Sequence, residues 1–253
     1  MRSRSELRPL PTRLPPPHGL RSLAVKTQSI RFRGGVARVA AWHGRPEIAS
    51  VALLCRGAPS IEAVEGLIEQ LRASGYREVI TNALAPGASL PLVDCGFEIR
   101  GRLHLLSHDF ENLPGPTRRT RRSGSGDRAT ILSVDAAAFD DFWQLDDVGL
   151  RQAARATPRS HLRVTKGGTV RGYGLFGRAE RTGYVQRLAI HPSAQGEGLG
   201  SDLLTDGMHW MRLRGARSAF VNTQVENERA LHLYERAGFQ RMPVGLCVLG
   251  RAL

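Results

Sequence analysis

The chain has 253 residues, 41% of them apolar, which is enough for ordinary cores and predicts two modest domains. No apolar run approaches the roughly 18 residues of a membrane span, and the N-terminus lacks the apolar stretch of a secretory signal, so a cytoplasmic protein is expected. The net charge of +13 excludes less than it suggests: residues 1–38 carry nine basic residues against Glu6, residues 118–128 carry five arginines against Asp127, and everything else sums to +1.

Residues 1–28 combine arginine with Pro9, Pro11, Pro15, Pro16 and Pro17, so a disordered tail is expected. Ser29 to Trp42 and Ile48 to Cys55 then alternate or run apolar like two strands. Pro59-Ser60 announces a helix with Ile61, Val64, Leu67, Ile68 and Leu71 on one face, ending at Gly75. A strand over Arg77 to Thr81, a helical turn over Leu90 to Val93 and a strand over Ile99 to Ser107 complete a first α/β unit, residues 29–112.

Thr117 to Asp127 has arginine, serine and glycine with almost nothing apolar, so residues 113–128 read as a basic linker. The tail and linker fit weak contact with RNA or an acidic partner through phosphate-type interactions, or plain solvated sequence. The second unit, residues 129–253, begins with a short strand over Thr130 to Val134, and Phe139, Phe142, Trp143 and Leu150 follow at helical spacing. Strands are predicted over Leu162 to Val164, Thr169 to Phe176 and Tyr184 to Ile190. A helix from Leu199 to Gly215, a strand over Ala219 to Thr223, a helix over Asn227 to Ala237 and a strand over Val244 to Leu249 close the chain.

The two units share a faint repeat. Gly75, a strand ending at Asn82 and Gly96-Phe97 parallel Gly215, a strand ending at Asn222 and Gly238-Phe239, with glycine intervals of 21 and 23 residues. Cys55, Cys95 and Cys247 are odd in number and far apart in apolar surroundings, a pattern of reduced thiols rather than disulfides or metal ligands. His104 with His108 does not define a metal site either, and no metal is expected.

The chemistry concentrates where the strand ending Leu188-Ala189-Ile190 leads into Gln195-Gly196-Glu197-Gly198-Leu199-Gly200-Ser201 at a helix start. Glycines there let consecutive amides converge on a phosphate. A second motif follows: Asn227-Glu228-Arg229-Ala230-Leu231-His232-Leu233-Tyr234-Glu235-Arg236-Ala237-Gly238-Phe239. Together, over residues 129–253, they resemble the GNAT superfamily of acyl-CoA-dependent N-acyltransferases, with its Gln/Arg-x-x-Gly-x-Gly/Ala and Asn-x-x-Ala-x-x-Leu-Tyr-x-x-x-Gly-Phe hallmarks.

The resemblance implies an α/β layered fold with a mixed, mostly antiparallel central sheet flanked by helices, in two tandem modules. It implies acetyl-CoA as co-substrate, with Leu188, Ala189 and Ile190 on the pantetheine arm, Gln195 through Ser201 on the pyrophosphate, and Asn227 facing the cofactor. It also implies Tyr234 as general acid to the departing thiolate, and an oxyanion met by a backbone amide of the 188–190 strand, where family members carry a bulge. Arg56-Gly57-Ala58-Pro59-Ser60 occupies the cradle's place in the first module, which is therefore expected to be degenerate.

No general base is assigned. His191, Glu226, Asp146 and Asp147 are candidates, each also readable as a surface or capping group, and Gln186 stands where some family members carry an acid. Phe142 and Trp143 are candidates for the amine pocket and equally for core. The expected reaction is acetyl transfer from acetyl-CoA to a primary amine by direct attack, in a ternary complex. Mycothiol synthases also have two modules with one doing the chemistry, which makes a small amino-sugar conjugate an alternative acceptor beside protein amines. The competing readings are an acyl-CoA-binding regulatory protein without turnover and a protein whose RNA or partner binding is primary.

Overall fold

The chain turns back on itself almost at once. In the computed structural model, which describes residues 28–55, 57–117 and 119–253, Gly34 takes φ +96° and splits the strand expected over Ser29–Trp42. The result is a hairpin of β1 (Gln28–Phe32) and β2 (Gly35–Trp42), and β2 continues into β3 (Arg45–Cys55) through His43 and Gly44. Helix α1 (Ile61–Ala73) starts where Ser60 Oγ accepts from the Ala63 amide at 3.3 Å, and it buries Val64, Leu67, Ile68 and Leu71. Then come β4 (Glu78–Thr81), α2 (Pro86–Asp94) and β5 (Glu98–His108). The tail expected over residues 1–28 lies outside the described residues except for Gln28, the first residue of β1.

The expected linker contains structure. Thr120–Arg122 forms an edge strand, β6, and Arg121 makes a two-pronged ion pair with Asp127 at 2.7 Å that closes a 3₁₀ turn. That pair and an amide bond from Gly124 hold the Asp127 carboxyl down at about 2. The strand expected over Thr130–Val134 lies within helix α3 (Arg128–Ala138). Ile131, Val134 and Asp135 bury one helical face, and that spacing outweighs the local β-branched character. The helix expected from Phe139 breaks, because Phe139 is already extended and Asp140 Oδ1 accepts from the Phe142 and Trp143 amides. Helix α4 (Asp147–Arg155) starts only after Asp146, whose carboxylate caps Gly149 at 2.7 Å.

The remaining elements follow the expected order: β7 (Arg159–Thr165), β8 (Gly172–Ala179), β9 (Thr182–Ile190), α5 (Leu199–Leu213), β10 (Ser218–Gln224) and α6 (Glu228–Arg236). A two-residue strand β11 (Gln240–Arg241) precedes the last, β12 (Leu246–Ala252). Alternate residues of β8 serve two layers: Tyr173 packs with Ile131 and Val134 of α3, while Phe176 packs with Leu204 and Met208 of α5.

Among the described residues all strands join one sheet in the order β1-β2-β3-β4-β12-β5-β10-β9-β8-β7-β6, with β11 on β5. Only β3–β4 and β9–β10 pair in parallel, so the fold is an α/β layered one with a mostly antiparallel central sheet flanked by helices. The repeat read in the sequence has a structural counterpart. Gly75, Gly96, Gly215 and Gly238 all have φ between +77° and +93° and end α1, α2, α5 and α6. In each case the next residue's amide returns to a carbonyl five residues back, as Tyr76 to Leu71 and Ala216 to Met211. The strands after the second helix of each repeat are exchanged: β5 lies beside β10, and β12 inserts between β4 and β5.

Candidate active site

β9 and β10 are hydrogen-bonded only from Thr182–Ser218 to Tyr184–Phe220. Past that point they part. The opposite edge of β9 stays paired to β8, but Leu175 faces Arg187 while Phe176 faces Val185, so Gln186 is an extra, bulged residue. The bulge expected in the 188–190 stretch therefore sits earlier, at Gln186. Between the parted strands lies a groove of about 380 Å³, walled by Val185–Ile190 on one side and Asn222–Gln224 on the other.

One end of the groove is the start of α5. Gly196 and Gly198 have φ +88° and +82°, which residues with a Cβ adopt only at a cost, and no side chain caps Gly198. The amides of Leu199, Gly200 and Ser201, in the helix's first turn, therefore lack intrahelical acceptors and face an open groove with the positive end of the helix dipole. Gly200 lets α6 approach: a Cβ there would stand 3.3 Å from Leu233 Cδ2. Gln195 lines the groove and its side-chain amide donates to the Ile190 carbonyl at 3.2 Å, bracing the loop. Glu197 does not line the groove. Its carboxylate pairs outward with Arg171 at 2.8 Å, and its carbonyl accepts from Arg119 at 3.3 Å.

The other wall is α6. Asn227 lines the groove, and its Oδ1 is engaged in capping, accepting from the Ala230 amide at 3.0 Å. Tyr234 is buried against Phe239, edge to face with ring centroids 5.7 Å apart, yet it still borders the groove. No group among the described residues bonds its hydroxyl. Burial pushes the phenol's pKa well above its ordinary value, and the Arg187 charge offsets only part of that rise. The phenol is thus a proton carrier at every physiological pH.

A cluster that sequence reading missed lies behind β9. Asp135, fully buried on α3, accepts from Arg187 Nε at 2.7 Å and Nη2 at 2.8 Å, from the Tyr173 hydroxyl at 2.5 Å and from the Leu145 amide at 2.6 Å. Arg187 also donates to the Trp143 carbonyl at 2.7 Å and stacks on Phe139 at 3.6 Å. These bonds pin α3 and the 139–145 loop to the strand that walls the groove. The signal was available in the sequence: one acid on an apolar helical stripe and one arginine inside an apolar strand are each costly to bury alone.

Among the described residues no Asp, Glu or His lines the groove, whereas Arg187, Arg229 and Arg236 do. The four candidate bases are occupied or elsewhere: Asp146 caps α4, Asp147 pairs with Arg128 and with Arg151, His191 bonds Ser193, and Glu226 is outside the lining. Of the two aromatic candidates, Trp143 borders the groove, and Phe142 packs on Trp42 at 5.3 Å. In the first unit the corresponding helix start is filled differently: Ser60 caps the first turn of α1 and Glu62 adds negative charge there.

Comparison with known proteins places this geometry. The acetyltransferase (GNAT) family model matches residues 129–239. A mycothiol acetyltransferase of Rhodococcus opacus (strain B4) is 44% identical over 201 residues, covering 72% of this chain and 59% of that protein. One of Rhodococcus erythropolis (strain PR4) is 33% identical over 149 residues, covering 52% and 49%. The chain thus spans about half the length of the curated relatives it matches. Among solved structures, a tandem GNAT protein from the clavulanic acid biosynthesis pathway superposes with TM-score 0.63 at 13% identity, over 86% of this chain and 78% of that one, a likeness of fold. Two motifs, a parted parallel strand pair and an uncapped helix start agree with the match: residues 129–239 form a domain of the acetyltransferase (GNAT) family.

Proposed function

We propose that this protein is an N-acetyltransferase that moves the acetyl group of acetyl-CoA to a primary amine by direct attack. The observation that carries the reading is the groove itself, which runs from a bared helix N-terminus to a buried tyrosine. A thin, amide-bearing arm suits the unpaired edge of β9, and a diphosphate suits the first-turn amides of α5 with Arg229 and Arg236 in the lining. The absence of acidic side chains from the described lining fits a polyanionic co-substrate.

In the reaction the amine lone pair attacks the thioester carbonyl carbon, and the carbonyl oxygen takes the charge. Backbone amides of β9 near the Gln186 bulge, unpaired on the β10 side, supply donors for that oxygen. Collapse re-forms the carbonyl and breaks the C–S bond. Tyr234 gives its proton to the departing sulfur. The proton lost by nitrogen leaves through water, since none of the candidate bases reaches the groove, and Tyr234 regains a proton from the same water.

The acceptor we favour is a small amino-sugar conjugate, because curated relatives carry the name mycothiol acetyltransferase. Calorimetry with acetyl-CoA and CoA, followed by thiol release with glycinamide, glucosamine, glycyl-glucosamine and Nα-acetyl-lysine, tests both parts. Binding without thiol release on any amine would make the protein an acyl-CoA-binding one without turnover. Absence of binding would overturn the reading altogether.

A further inference from the structure

We propose that the N-terminal half sets the acceptor end of the groove, with Gly101 and Trp42 as positioning residues that act through Trp143. The inference rests on the acetyl-transfer reading above. Arg187, Phe139, Trp143 and Leu103 border the groove upstream of the cradle; Arg187 lies three residues, about 10 Å of strand, before Ile190 on β9. Two of these positions depend on the first half of the chain. Leu103 belongs to β5, and Trp143 rests its indole on the same strand.

The fit of that indole is set by an absent side chain. A Cβ on Gly101 would stand 2.7 Å from Trp143 Cζ2 and 3.3 Å from Cη2, so the indole can approach β5 this closely because residue 101 is glycine. On its other side Trp143 meets Phe142 edge to face at 4.8 Å, and Phe142 meets Trp42, the last residue of β2, at 5.3 Å. Trp42, Ile80, Leu103, Leu246 and Val248 form one buried cluster against which Phe142 and Trp143 pack. The C-terminal half fixes the backbone of Trp143 through Arg187, and the N-terminal half fixes its ring. The N-terminal half thereby places a wall of the C-terminal half's groove, and the acceptor's body meets that wall.

Glycinamide and glycyl-glucosamine test this, because they share the reacting amine and differ only in the attached body. With saturating acetyl-CoA, Gly101→Val is expected to change the ratio of their kcat/KM values by about tenfold. Calorimetric Kd for acetyl-CoA stays within twofold. Trp42→Leu, which borders no part of the groove, shifts the same ratio. In the Trp143→Leu background, adding Gly101→Val has little further effect, since the ring it displaces is gone. If Gly101→Val does not fold, Gly101→Ala makes the same clash with one carbon. An unchanged ratio in Gly101 and Trp42 variants of near-native Tm overturns the proposal, as does an effect of Gly101→Val that persists undiminished without the Trp143 ring. A wild type that neither binds acetyl-CoA nor releases thiol fails earlier, and that result counts against the underlying reading.

Discussion

Tyr234 shows how burial prepares a residue for a role that its type alone does not confer. A phenol in water and a phenol enclosed by α6 and Phe239 are different acids, and the enclosed one holds its proton more firmly. Two outcomes follow. Tyr234→Phe should lower kcat by about 10²-fold or more while acetyl-CoA Kd, read by calorimetry, stays put. The pH profile of kcat/KM should rise with the pKa of the acceptor amine and show no descending limb from Tyr234 below about pH 10, its ordinary value, because the shift is upward. Substituting an amine of different pKa should move the rising limb by the same amount; a limb fixed regardless of acceptor would reveal a protein base. Gly198→Ala should cost about 1 kcal/mol of stability for the φ of +82° and weaken acetyl-CoA, both measurable by melting with and without ligand.

Elements were legible in the sequence where one force dominated. The helices α1, α5 and α6 and their glycine ends follow from apolar spacing and from the left-handed residue that stops each one. One misreading falls at α3, where the β-branched Thr130, Ile131 and Val134 read like a short strand. The helix wins because Asp135 can be buried only where Arg187, Tyr173 and the Leu145 amide meet it, and no local rule contains that meeting. Asp135→Ala should destabilise by about 3–5 kcal/mol in denaturant melts by stranding Arg187, more than a surface acid such as Glu69 would. Close helix–sheet contact has its own signature: a Cβ at Gly207 of α5 would collide with the Phe176 ring, so Gly207→Ala should cost about 1–3 kcal/mol.

At the scale of the whole molecule, the exchange of β5 and β12 is the decisive feature. Each strand completes the half to which it does not belong in sequence, β5 beside β10 and β12 beside β4, and the two pair with each other at the seam. We infer that the halves cannot unfold one at a time. Scanning calorimetry should give one transition with matching calorimetric and van't Hoff enthalpies; two separable transitions would show that the seam is weak. The arginines between the halves are partly spent on ion pairs within the stretch and with the C-terminal half: Arg119 with Asp202, Arg121 with Asp127 and Arg128 with Asp147. The basic stretch is thereby tied to α5 and α4. No helix among the described residues is long and apolar enough to cross a membrane.

The sequence by itself determined what short-range physics encodes: the glycine cradle, the capped and glycine-ended helices, the Asn227–Phe239 motif and the repeat linking the two halves. Spacing along the chain suffices for these because each depends on neighbours within a turn or two. Only the tertiary structure decided where β9 and β10 part, that the bulge falls on Gln186, that Asp135 and Arg187 share a buried site, and that β5 and β12 trade places. Those outcomes depend on pairings between residues dozens of positions apart, whose energies are set by burial and register and leave no period in the sequence.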